Sequence, residues 1–183
     1  MKFRGTASRH VFILSVLIAI YSCIPPAQAQ TAIYSTLIFT NRQTSVSTQN
    51  QFFTSAGIEA GVYREGYDVW HFSTGLDLRA SYAPNDMFSL IGPRLELLTD
   101  KEVLRPYFEF LVGGGTMKNI QGTSVAHMFY EYVGGVDCPM GRIDYRLLEL
   151  GIGRTPFNNA TGIAYTGGNL WEVTASSGVV YRF

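Results

Sequence analysis

The chain of 183 residues carries 14 basic and 14 acidic side chains, a formal net charge of zero, and is 14% aromatic but only 15% charged. A neutral balance lacks the basic excess that a nucleic-acid partner demands, so none is expected. Its two cysteines are Cys23 and Cys138; because Cys23 falls in a segment expected to be removed, an internal disulfide and a cysteine metal cluster are both excluded.

Lys2, Arg4 and Arg9 precede a run over residues 11–20 that is apolar but for Ser15, then Pro25-Pro26 and Ala27-Gln28-Ala29. A basic start, a short apolar core and small residues at the end follow the order of a secretory signal peptide. The run falls well short of the roughly 20 residues of a spanning helix. Cleavage is expected after Ala29, which leaves residues 30–183 as a single exported domain. The rival is lipidation at Cys23 within Ile20-Tyr-Ser-Cys23, against which the bulk of Tyr21 argues.

No later apolar stretch reaches the length of a transmembrane helix, while Tyr, Phe, Gly and Thr abound. These are strand and turn residues. Strands are predicted over 31–41, 55–64, 69–82, 87–98, 103–113, 126–136, 143–154 and 169–183. The clearest is 69–82: Trp70, Phe72, Thr74, Leu76, Leu78, Ala80 and Tyr82 share one face, against His71, Ser73, Gly75, Asp77, Arg79 and Ser81. Alternation over such a length, with aromatics near both ends of the apolar face, fits a lipid-facing strand with a polar lumen side. Leu147-Leu148 breaks the alternation of 143–154 and predicts a bulge there; Gly134-Gly135, Gly151 and Gly153 are read as bulges or points of curvature.

The connections alternate in character. Segments 42–54, 114–125 and 155–168 are long and rich in Thr, Ser, Asn, Gln and Gly, with the short 83–86 as the exception; 65–68, 99–102 and 137–142 are tight turns. Long outer loops with short turns on the opposite side characterise outer-membrane barrels. The fold class expected is therefore all-β: an eight-stranded antiparallel up-and-down transmembrane β-barrel in the bacterial outer membrane. Tyr63, Tyr67, Trp70, Tyr82, Tyr145, Trp171 and Tyr181 are read as interface anchors.

The last strand ends on Val179-Val-Tyr-Arg-Phe183, with Val179, Tyr181 and Phe183 on one face. This ending resembles the C-terminal strand of bacterial outer-membrane barrels, which implies recognition by the barrel-assembly machinery through those three residues. Phe88-Ser-Leu-Ile-Gly-Pro-Arg94, Arg105-Pro-Tyr-Phe-Glu-Phe-Leu-Val-Gly-Gly114 and Tyr132-Val-Gly-Gly135 follow one another. Their order is similar to the small eight-stranded outer-membrane barrels related to the OmpA transmembrane domain. That resemblance implies the barrel fold over residues 30–183 and no catalytic motif.

Face assignment sends nearly every strand charge to the lumen: Glu59, Asp77, Arg79, Arg94, Glu96, Arg105, Glu109, Glu131, Glu172 and Arg182. An eight-stranded barrel is just wide enough inside for side chains to fill it, and confined charges must pair. A plugged interior held by arginine–carboxylate forks is expected.

His71-Phe72-Ser73 resembles the His-x-Ser pair on one strand of outer-membrane lipid A deacylases, yet here it points inward at the wrong end for that substrate. Gly113-Gly-Gly115 is followed by no Gly-Lys-Ser/Thr and is read as a strand end. Three scattered histidines offer no metal site. No catalytic residue, cofactor or metal is expected. The function expected is a structural or surface-interaction role, with outer-membrane lipid as solvent and an unknown extracellular ligand at the loops. The alternatives are a narrow solute or ion pore, a soluble lipocalin-like lipid carrier, and an envelope-lipid enzyme.

Overall fold

Strict alternation of side chains sets the architecture, because a strand with one apolar and one charged face must turn them to different surroundings. The computed structural model describes residues 30–46, 49–84, 86–98, 103–118, 124–155 and 170–183, so the expected signal peptide and Cys23 lie outside the described residues. Its strands are β1 (Thr31–Val46), β2 (Gln49–Val69), β3 (Phe72–Ala83), β4 (Asp86–Leu97), β5 (Arg105–Lys118), β6 (Ser124–Met140), β7 (Ile143–Thr155) and β8 (Leu170–Arg182). Each pairs antiparallel with the next, and β8 returns to β1, closing the barrel. Closure pairs each strand with a neighbour on both sides around the barrel wall. At the seam, Thr36 faces Glu59 of β2 on one side and Gly178 of β8 on the other, and the Phe183 N–H donates to the Thr31 carbonyl at 2.9 Å.

Both termini share one end, called here the terminal end; the opposite one is the loop end. The long connections expected from composition are shorter than that. The β1–β2 hairpin stays paired to Val46 opposite Gln49, and β5–β6 to Lys118 opposite Ser124. Much of 42–54 and 114–125 is therefore strand. Polar cross-strand contacts stand at the base of this extension, Thr40 Oγ1 to Ser55 Oγ at 2.5 Å and Asn41 Nδ2 donating to Thr54 Oγ1 at 3.2 Å. A strand polar on both faces has the composition of a loop, which is why sequence misreads it. Segment 156–169 lies outside the described residues.

At the terminal end, β2 runs through the expected 65–68 turn to Val69, and the reversal is Trp70–His71, with Val69 opposite Phe72. Trp70 has φ 60°, as at the first central position of a type II′ turn, where glycine is the usual occupant. Gly141, at φ 90°, holds the equivalent place between Met140 and Ile143. The 137–142 turn is thus only residues 141–142, and β6 extends to Met140.

Two bulges shift the register of the ladders. One lies between Glu65 and Tyr67. The other sets Leu147 and Leu148 between Arg146 and Glu149, where the sequence placed a bulge. Both leucines face outward, and Ser177 Oγ donates to the Arg146 carbonyl at 2.9 Å beside them.

The exterior is apolar: Leu37, Phe39, Ile58, Leu148, Leu150, Ile152 and Val173 are all more than half exposed or at its threshold. The interior holds arginines and carboxylates. That inversion is the opposite of a lipocalin-like calyx, so the soluble-carrier reading fails.

Candidate functional site

Alternation along β2, β3, β4 and β5 aims Glu59, Asp77, Arg79, Arg94, Glu96 and Glu109 at the barrel axis, and all are buried. From the terminal end, Arg182 of β8 contacts Asp144, Glu65 at 3.2 Å and Glu96 at 3.4 Å. Glu96 also receives Arg94 Nη2 at 3.0 Å, and Arg94 reaches Glu109 at 2.7 Å and Asp137 at 3.1 Å. Asp137 accepts from Arg146 Nε at 3.1 Å, and Arg146 donates to Glu149 at 3.0 Å. Glu149 lies 3.0 Å from Arg79, which closes the chain onto Asp77 at 2.7 Å, Glu59 at 3.3 Å and Glu109. Four arginines are thereby joined in one continuous network.

Tyrosine rings fill the space between guanidinium planes. Arg94 Cζ lies 4.1 Å from the Tyr63 ring centre and 3.7 Å from that of Tyr107, while Arg146 lies 4.2 Å from Tyr34 and 4.8 Å from Tyr107. Desolvated cation–π contacts of this kind contribute about 2 kcal/mol. The phenols also donate: Tyr34 to Asp77 at 2.9 Å and Tyr107 to Glu149 at 2.6 Å. Tyr63 is therefore not the interface anchor expected of it; it lies fully inside the barrel.

Room for these rings comes from glycines on neighbouring strands. Tyr34 faces Gly61, Tyr107 faces Gly135 and Phe88 faces Gly115 in direct register. A Cβ on Gly61 or Gly135 would collide with the phenol end of its partner ring. Gly135 and Gly153, read from sequence as bulges or points of curvature, carry no bulge and seat rings, Gly153 lying under Phe129, and Gly151 makes room for Glu131 and Thr174. Gly113 and Gly115 lie within β5, not at a strand end.

Above this network Glu131 accepts a hydrogen bond from Thr174 Oγ1 at 2.7 Å. An apolar layer follows, formed by Phe88, Leu90, Leu111, Met117, Phe129 and Val133, with the Phe88 and Phe129 rings 4.9 Å apart. A second ion cluster stands at the loop end, where Arg42 contacts Asp86 at 2.5 Å and Glu172 through Nε at 2.8 Å. Two charged layers with an apolar one between them occlude the lumen.

Of the lumen residues expected from sequence, Glu59, Asp77, Arg79, Arg94, Glu96, Glu109 and Arg182 join the main network, whereas Glu131 and Glu172 sit apart from it. Arg105 stands at the mouth, its side chain 19% exposed and its Nε 3.9 Å from Glu96. Sequence reasoning missed Glu65, Asp137, Asp144, Arg146 and Glu149 in the main network, and Arg42 and Asp86 in the loop-end cluster. His71 is exposed in the β2–β3 turn while Ser73 is buried, so the His-x-Ser pair does not share a strand face. Val179, Tyr181 and Phe183 face outward, the last two rings 5.0 Å apart edge to face.

Among the described residues the arrangement buries charge against charge and fills the barrel interior with paired side chains. Tyr107→Phe removes the donor to Glu149 and is expected to lower stability by about 1.5–3 kcal/mol, the value of a hydrogen bond to a charged group. Urea unfolding in detergent followed by circular dichroism checks this, and an unchanged midpoint would remove the phenol from the network.

No protein-family model matches the chain, and no curated protein matches it in sequence. Solved structures do. Neisserial surface protein A, from Neisseria, is 12% identical, with 85% of this chain and 99% of that chain covered at a TM-score of 0.54. Ail, the attachment invasion locus protein of Yersinia pestis, is 9% identical over 85% of this chain and 99% of that chain, with a TM-score of 0.51. At such identity the likeness concerns fold alone: this chain has the closed eight-stranded antiparallel fold of small outer-membrane β-barrels.

Proposed function

We propose that the chain is a bacterial outer-membrane barrel with a structural or surface-interaction role, exercised at its loop end and not through catalysis. The observation that carries this reading is the inversion of polarity around an occluded lumen. Apolar side chains clothe the outside, and the inside is filled by paired charges, three tyrosines and an apolar layer. Water has no use for such an exterior, while a bilayer requires it. A filled lumen leaves the ends as the surfaces available to partners. The polar connections at the loop end would meet an extracellular ligand. The outward row of Val179, Tyr181 and Phe183 would be read by the barrel-assembly machinery during insertion.

Refolding residues 30–183 in detergent tests the membrane part. An unboiled, β-rich band that migrates faster than the boiled one is expected, and a chain that folds in plain buffer without a mobility shift would sink it. Planar-bilayer recording tests the occlusion. A silent bilayer is expected; discrete conductance steps would transfer the protein to the class of narrow pores.

A further inference from the structure

The terminal end of the lumen is short of positive charge. Eight carboxyl groups share the four arginines of the main network. Arg182 is divided among Asp144, Glu65 and Glu96. The Glu65 and Glu96 carboxyls also lie within hydrogen-bond reach of each other. Glu96 is 1% exposed, yet among the described residues its Oε1 accepts no hydrogen bond, and Arg105 Nε stands off at 3.9 Å. Buried carboxylates in such company call for a further cation. Glu65, Asp68 and Glu96 line a pocket of about 140 Å³ together with Gln30, Ser73 and Arg105. A single water requires roughly 15 Å³ of such space, and an ammonium group is of similar size.

Gln30 is held at this pocket from two sides. Its carbonyl accepts from the Glu65 N–H at 2.9 Å, and its side-chain Oε1 accepts from Arg182 Nη1 at 3.3 Å. Antiparallel residues opposed in this way exchange both N–H···O bonds, so the Gln30 nitrogen is turned toward Glu65. Thr31 is turned instead to β8, where its carbonyl takes the Phe183 N–H at 2.9 Å. The Gln30 nitrogen thus lies on the acidic side of the seam. In an uncleaved precursor it is a neutral amide. Cleavage after Ala29 turns it into an α-ammonium, with a positive charge and three donors.

We propose that the α-ammonium of Gln30 is the missing cation of the Glu65–Glu96 pocket, so that removal of the leader completes the network and ties β1 to β2. This rests on the membrane reading above and on cleavage after Ala29. It also governs a side reaction. An N-terminal glutamine cyclises when its free amine attacks the side-chain amide carbon, forming a lactam bond, breaking the amide C–N bond and releasing ammonia. Here the amine is held protonated and the amide oxygen is held by Arg182, so the folded chain keeps an open glutamine.

The test is competitive acetylation of the barrel purified from outer membranes, with Lys101 and Lys118 as internal references. It is run near pH 7, below the ordinary α-amino value of about 8, where the rate follows the small unprotonated fraction. Intact mass and gel mobility are read first. A chain that starts elsewhere than at Gln30 overturns the cleavage reading, one without a mobility shift overturns the membrane reading, and the inference falls with either. In the folded barrel the Gln30 amine is expected to react about tenfold or more slowly than in urea, the effect of one charge-assisted hydrogen bond. Glu96→Gln should recover most of that reactivity, while Glu131→Gln, at a carboxyl apart from the network, should not. With cleavage and mobility as expected, the pocket assignment alone is overturned by equal rates in the folded and unfolded wild type, a comparison that needs no variant to fold. Protection that survives Glu96→Gln, or a mass showing loss of ammonia from Gln30, overturns it as well.

Discussion

Arg94→Met is expected to destabilise the barrel by about 3–5 kcal/mol, the cost of leaving buried carboxylates without their cation. Arg94 is 1% exposed and serves three acids: Glu96, Glu109 and Asp137. It is also clasped between the Tyr63 and Tyr107 rings. Methionine approximates its volume but supplies neither charge nor donors. Arg94→Lys restores a charge without the planar fork, so it should fall between the two. Arg105 provides the contrast. At 3.9 Å from Glu96 and partly open to water, its loss should cost less than about 1 kcal/mol, as exposed pairs do. Urea unfolding in lipid vesicles, followed by tryptophan emission and circular dichroism, ranks the three. If Arg94→Met and Arg105→Gln shift the midpoint alike, the network is filler rather than framework.

The network also explains which parts of this protein were legible in its sequence. Residues 69–82 announced β3, which begins at Phe72, because its six outward side chains from Phe72 to Tyr82 avoid charge while Asp77 and Arg79 do not, and only a two-sided environment selects that pattern. Leu147-Leu148 announced the bulge, since two adjacent leucines cannot both point to one face of a regular strand. The same bulge hid Arg146 and Glu149. They are three residues apart, which in a regular strand puts them on opposite faces, and only the extra residue brings both inside. Glu65, Arg42 and Asp137 were hidden differently. Glu65 and Arg42 lie where a strand runs on into polar sequence that looks like turn or loop, and Asp137 stands just before Pro139 and Gly141, which read as a turn. Glycine gave a third ambiguity. Curvature and a seat for a neighbouring ring both require an absent Cβ, and only the register opposite Tyr34, Tyr107 or Phe88 tells them apart.

Gly92 is a site where that absence concerns the backbone, and Gly92→Val is expected to cost about 3 kcal/mol, the upper end of over-packing. Gly92 faces inward on β4 beside Pro93, whose nitrogen has no hydrogen to offer β5. Between the pairs Ile91–Val112 and Arg94–Glu109 the β4–β5 ladder skips Gly92 and Pro93. Here the β5 main chain approaches closely: a Cβ on Gly92 would meet the Phe110 carbonyl oxygen, at 2.8 Å its carbon, and at 3.0 Å the Leu111 Cα. None of these atoms belongs to a side chain that could rotate away. Relief would require the two strands to separate, which would displace Arg94 from Glu109 at the next paired position. Gly134→Val is the matched control, because a Cβ there meets only the Tyr107 carbonyl oxygen at 4.0 Å on the outward face. Valine at Gly134 should be tolerated within about 0.5 kcal/mol, as surface changes are. Refolding yield by gel mobility, with urea midpoints for what folds, separates the two. Equal behaviour would mean that β4 and β5 can part without loss, and that the arginine network tolerates slack in its walls.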